Sequence, residues 1–97
     1  MRIISRQPLK EFSKLHANAK EPLDAWWSDV LGAKWESWTD LKRQYPKVSS
    51  VGNDRYVFNI NGNEYRLIVS IHFLKKIVYI RFIGTHKDYD KIDASAV

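Results

Sequence analysis

The chain has 97 residues, 44% of them hydrophobic, which is enough for one small core and too few for two. It has no cysteine, so disulfide frameworks and thiolate zinc sites are excluded, and only His16, His72 and His86 remain as soft metal ligands. A formal charge of +5 favours a polyanionic partner, and an aromatic content of 13% is too high for a disordered chain.

In chain order, Ile3 and Ile4 suggest a short leading strand within residues 1–5. Pro8 stands where proline is tolerated, in the first turn of a helix. Leu9, Phe12, Leu15 and Ala19 follow at helical spacing, which predicts a helix over about residues 8–18. Leu23, Trp26, Trp27, Val30 and Leu31 form one stripe of a second helix, from Pro22 to Leu31, with Gly32 to end it. Ser37 followed by Asp40 has the capping-box spacing of a third helix, which Pro46 terminates. Trp26 and Trp27 read as core, whereas Trp35 or Trp38 could stay exposed as a partner-binding anchor. His16 reads as a charge partner for the C-terminal end of the first helix.

From Val51 the apolar period becomes two. Asn61-Gly62 is the preferred pair for a two-residue type I′ hairpin, which would face Phe58 with Tyr65, Val57 with Arg66 and Tyr56 with Leu67. A second reversal at Lys75-Lys76 would face Phe73 with Val78, Ile71 with Ile80 and Val69 with Phe82. Both registers gather the apolar residues on one face. The other face then carries Arg66, Ile68, Ser70 and His72 beside Tyr79, Arg81 and Ile83, with Ser70 facing Arg81. Thr85 and Asp88 have N-cap and N3 spacing, so a last short helix should start at His86. The expected fold class is α+β: a two-layer sandwich of N-terminal helices on an antiparallel sheet of about four strands, closed by a short C-terminal helix, in one domain over residues 1–97. No eighteen-residue apolar stretch and no leader signal occur, so no membrane partner and a cytoplasmic location are expected.

Nucleotide-binding glycine loops, the GxSxG elbow and the HExxH zinc motif are all missing. What is left is a cluster in which Arg66 and Arg81, with Lys75 or Lys76, are expected to converge on His86 and Tyr89 at the end of the sheet. That set suits RNA cleavage by internal attack of a 2′-hydroxyl, which needs a base, an acid and positive charge on the phosphorane, all of which side chains can supply. A plainer reading stands beside it. Any half-exposed antiparallel sheet shows arginines on its solvated face, His86 could simply open a helix, and Tyr89 could pack against the sheet.

The run Tyr56-Val-Phe-Asn-Ile-Asn-Gly-Asn-Glu-Tyr-Arg66, then Tyr79-Ile-Arg81, then Thr85-His-Lys-Asp-Tyr89-Asp, resembles the HigB family of type II toxin–antitoxin systems, within the wider RelE/ParE toxin fold. The resemblance spans nearly the whole chain and is strongest over residues 51–93. It implies a metal- and cofactor-independent endoribonuclease that cuts mRNA on the ribosome and is neutralised, in a toxin–antitoxin complex, by a HigA-type helix-turn-helix antitoxin. His86, Tyr89, Arg81 and Arg66 are the implied catalytic set, and Lys75, Lys76, Lys87 and Arg55 the expected RNA contacts. The alternative on the same scaffold is a non-catalytic toxin of the ParE type that inhibits DNA gyrase.

Overall fold

The computed structural model describes residues 1–97. In chain order the elements are β1 (Arg2–Ile4), α1 (Gln7–Leu15), α2 (Lys20–Leu31), α3 (Trp38–Gln44), β2 (Ser49–Gly52), β3 (Arg55–Ile60), β4 (Tyr65–His72), β5 (Ile77–Thr85) and α4 (His86–Asp90). The sheet order is β1-β5-β4-β3-β2. Strands β2 to β5 are antiparallel neighbours, and β1 joins the edge parallel to β5, Ile3 opposite Val78. An α+β architecture with helices on one sheet face and a short closing helix is therefore what the hydrophobic pattern dictates. The parallel edge strand is an addition to it. No helix is long and apolar enough to cross a membrane.

The helical stripes and the period-two face meet in a single core. Leu9, Phe12, Leu23, Trp26, Val30 and Leu41 come from the helices; Tyr56, Phe58, Leu67, Val69, Ile71 and Val78 come from the sheet. Burying each such aliphatic or Phe side chain is worth about 1.5–3 kcal/mol, so this layer contact supplies most of the driving force. Trp26 meets Phe58 edge to face at 5.5 Å. Neither Trp35 nor Trp38 is free as an anchor. Trp35 is buried and donates from Nε1 to Gln44 Oε1 at 2.8 Å, and Trp38 stacks on Tyr56 at 5.4 Å.

Helix α1 stops at Leu15, short of the expected residue 18. His16 caps it through its backbone N–H to the Phe12 carbonyl, its ring stacked on Phe12, and a 3-10 turn over Ala17–Ala19 then brings Ala19 into the core. Ser37 stands at the N-cap of α3 but its side chain makes no capping bond; Asp40 instead accepts from the Glu36 backbone N–H at 2.9 Å. The stretch after Val48 is two strands, reversed at Asn53 and Asp54, both with φ in the left-handed region.

Both expected hairpin registers are corrected. Strands β3 and β4 pair Phe58 with Leu67 and Val57 with Ile68, two residues from the expected register, because the loop holds four residues, Asn61 to Glu64, rather than two. Asn61 and Gly62 do take positive φ, as that dipeptide favours. The wider loop is secured by the Glu64 carboxylate, which accepts from the side chains of Asn61 and Asn18. A slip of two leaves every side chain on its face. Strands β4 and β5 pair Ile71 with Val78 and Val69 with Ile80, but Ile68 with Phe82 and Leu67 with Ile83. Arg81 is the extra residue of a bulge. Beyond it the alternation inverts, so Ile83 packs on the core and Phe82 lies on the opposite face, the reverse of a straight strand.

Candidate active site

The face away from the core is built in cross-strand rows. Asn59, Arg66 and Gly84 form the first, Val57, Ile68 and Phe82 the second, and Arg55, Ser70 and Tyr79 the third. Helix α4 starts directly at the end of β5. Thr85 Oγ1 accepts from the Asp88 N–H and Asp88 Oδ2 from the Thr85 N–H, each at 3.3 Å, the reciprocal cap expected from the spacing. Gly84 is required by a close approach: a Cβ there would lie 2.5 Å from Phe82 Cζ and 3.0 Å from Asp88 Cβ. The Phe82 ring therefore occupies the space under α4 that any other residue at 84 would fill.

Three of the four expected catalytic residues come together. His86 Nε2 and Arg66 Nη1, the latter at 3.3 Å, both meet the backbone carbonyl of Asn63, and the Arg66 guanidinium lies 5.8 Å from the centre of the Tyr89 ring. A carbonyl only accepts, so Nε2 carries the proton and Nδ1 is the accepting nitrogen of the neutral ring. The cluster thus offers one proton acceptor, one planar cation suited to phosphate oxygens and one aromatic face within reach of each other.

Arg81 shares this face but not the cluster. Its side chain projects from the bulge, donates from Nε to Ser70 Oγ at 2.9 Å and lies 5.5 Å from the Tyr79 ring centre. Ser70 is four residues from Arg66, about 13 Å along the strand. The contact between Ser70 and Arg81 was legible in the sequence, although the residue paired with Ser70 is Tyr79. Lys87 is exposed on α4 beside His86. Lys75 and Lys76 do not converge on His86: their turn closes the other end of β4, roughly 23 Å away along the strand, and Lys76 Nζ donates to the Trp35 carbonyl. Arg55 is engaged by backbone, donating from Nε and Nη2 to the Val97 carbonyl at 3.0 and 2.8 Å and from Nη1 to that of Asn53. With Asn53 Nδ2 on the Ser95 carbonyl, this folds residues 91–97 back toward the third row instead of extending α4.

Sequence reasoning gave Asn63 no part in the site; a backbone carbonyl leaves no residue-type signal. Gly84 before a Thr-capped helix was the one available hint of close packing. A cavity of about 310 Å³ between α1 and α2, floored by Leu9, Leu23 and Trp27, shares no residue with the cluster.

The mRNA interferase toxin HigB of Escherichia coli K12 is 29% identical over 92 residues, which cover 93% of this chain and 88% of that one, and the mRNA interferase HigB of Shigella flexneri matches to the same extent. The mRNA interferase HigB of Escherichia coli O6:H1 is 26% identical over 94 residues, 95% of this chain and 91% of its own. The HigB toxin family, described as the RelE-like toxic component of a toxin–antitoxin system, matches residues 19–92. That span takes in α2 to α4 and strands β2 to β5, with the whole His86 cluster, and the chain belongs to the HigB family of RelE-like toxins.

Proposed function

We propose that this protein is an mRNA interferase, an endoribonuclease toxin that cuts mRNA on the translating ribosome and is restrained by a HigA-type helix-turn-helix antitoxin. The meeting of His86 and Arg66 at the Asn63 carbonyl carries the reading. His86 Nδ1 accepts the 2′-hydroxyl proton as the O2′–P bond forms, the P–O5′ bond breaks, and the leaving 5′-oxygen takes a proton from the Tyr89 hydroxyl or from water. The products are a 2′,3′-cyclic phosphate and a 5′-hydroxyl. Arg66 holds an oxygen of the scissile phosphate, where one well-placed donor is typically worth about 2.7–4 kcal/mol of transition-state stabilisation, and Arg81, farther along the same face, holds a second phosphate of the strand. Tyr89 orients a base or assists proton transfer, and Lys87 contacts a flanking phosphate. An open, half-exposed site and a net charge of +5 fit an enzyme whose substrate is positioned by the ribosome rather than gripped as free RNA.

The test incubates purified protein with a reporter mRNA bare, with idle ribosomes and in active translation, and maps the 5′ ends. Cuts confined to translation, and lost in folded His86→Ala and Arg81→Ala, are expected. Intact mRNA in all three conditions, or wild-type cutting by both variants, overturns the reading.

A further inference from the structure

We propose that Glu64 and Asn18 are positioning residues for cleavage, holding the Asn61–Glu64 loop so that the Asn63 carbonyl decides which nitrogen of His86 carries the proton. The proposal rests on the reading of His86 as the proton-transfer group.

The loop is exposed and has little else to define it. Between its flanking residues only one backbone bond closes it, from the Glu64 N–H to the Asn61 carbonyl at 3.2 Å. Asn61 and Gly62 both have left-handed φ, which turns the chain but leaves the Asn63 carbonyl with no backbone hydrogen bond to fix its direction. Glu64 provides the hold. Its Oε2 accepts from Asn61 Nδ2 at 2.6 Å, inside the loop, and from Asn18 Nδ2 at 3.1 Å, on the helical layer; Oε1 also accepts from Asn18, at 3.3 Å. Asn18 is fixed in turn, because its Oδ1 accepts from the Tyr65 hydroxyl. The Tyr65 ring is buried, set edge-on against Phe12 at 5.1 Å and beside His16 at 5.3 Å. The chain of contacts runs from the core of the helical layer through Asn18 and Glu64 to the loop, and Asn63 is the residue between Gly62 and Glu64.

What the loop delivers is a single carbonyl oxygen. Facing Nε2, it stabilises the tautomer in which Nε2 is protonated and Nδ1 has a free lone pair; with the carbonyl gone, the ring can place its proton on Nδ1 and lose the accepting atom. Arg66 donates to the same oxygen, so the loop also sets the guanidinium against the imidazole. Neither Glu64 nor Asn18 contacts His86, and their effect passes wholly through the position of Asn63.

The experiment reads the tautomer directly. Protein labelled with 15N at histidine is examined by long-range proton–nitrogen spectra at a pH where the ring is neutral, for the wild type, Glu64→Ala, Glu64→Gln and Asn18→Ala, and kcat and KM for cleavage of the translated reporter are measured in parallel. In the wild type His86 is expected as the Nε2–H form. Glu64→Ala and Asn18→Ala are expected to give a mixture of tautomers and a kcat lower by about ten-fold, with KM within two-fold, a loss typical of partners that orient a functional histidine. Glu64→Gln, which keeps a carbonyl acceptor, is expected to recover most of both. An unchanged His86 tautomer in both alanine variants overturns the proposal, and so does a shifted tautomer with unchanged kcat. If His86→Ala itself cuts normally, the cleavage reading fails, and the tautomer in Glu64→Ala still reports whether the loop holds the ring.

Discussion

Replacing Gly84 with alanine should damage catalysis more than stability. The added Cβ meets Phe82 Cζ at 2.5 Å and Asp88 Cβ at 3.0 Å, whereas carbon atoms pack best at about 3.5–4.0 Å. The Phe82 ring end must therefore retreat by about 1 Å or more, and the first turn of α4 by about 0.5–1 Å. Overpacking of this kind typically costs about 1–3 kcal/mol. In a domain of this size that lowers Tm by about 4–8 °C per kcal/mol, which leaves a folded protein. Asp88 is the N3 residue of α4 and His86 is its first residue, so the displacement carries the imidazole with it. A misplacement near 1 Å can cost about 100-fold in rate. Cleavage of the translated reporter should accordingly fall by about 10- to 100-fold at a temperature where circular dichroism shows Gly84→Ala fully folded. A variant that cuts at the wild-type rate would refute the argument that Gly84 makes room for Phe82 beneath α4 and so positions His86.

Arg55→Ala should free residues 93–97, since the guanidinium makes two of the three hydrogen bonds holding them to the β2–β3 hairpin; their amide exchange and proteolysis should rise, at a cost of about 1–3 kcal/mol, and unchanged protection would show that the segment docks without it. Gly62→Ala, at φ +67°, should destabilise by about 1–2 kcal/mol in denaturant unfolding, while Gly32→Ala, with negative φ and its nearest contact at 3.7 Å, should not. Tyr45 donates to Asp29 Oδ2, and burial, reinforced by that carboxylate, pushes its phenol well above the ordinary value near 10. The unfolded chain then releases this proton first, so the folded state binds more protons above pH 10 and stability falls as pH rises through that range. Tyr45→Phe should flatten the alkaline fall in Tm; an identical slope would refute the assignment.

Local chemistry was legible wherever neighbouring residues set it. The Thr85 and Asp88 cap and the stripe of Leu23, Trp26 and Val30 depend on spacings of four residues or about two turns, and each forms as read; Asn61 and Gly62 take the expected positive φ although their loop is longer than expected. The faces of β3 and β4 were also legible, because a period of two survives a register slip of two. The Ser37 cap is a local exception: Asp40, which its spacing required at N3, accepts from the Glu36 backbone, one residue earlier, and residue type alone does not distinguish these two neighbouring N–H groups.

Across longer distances the sequence determined composition and periodicity, hence an α+β layer contact, its core and an end of the sheet bearing His86, Tyr89 and Arg66. Only the tertiary structure decided the bulge at Arg81, which inserts one residue on a single strand and so exchanges the faces of Phe82 and Ile83 without changing any residue type. It also decided that Lys76 is tied to the Trp35 carbonyl, that Arg55 grips backbone, and that one carbonyl at Asn63 joins His86 to Arg66. Register, bulge position and backbone acceptors are set by contacts between residues far apart in the chain, and an amide carbonyl is the same at every position of a sequence.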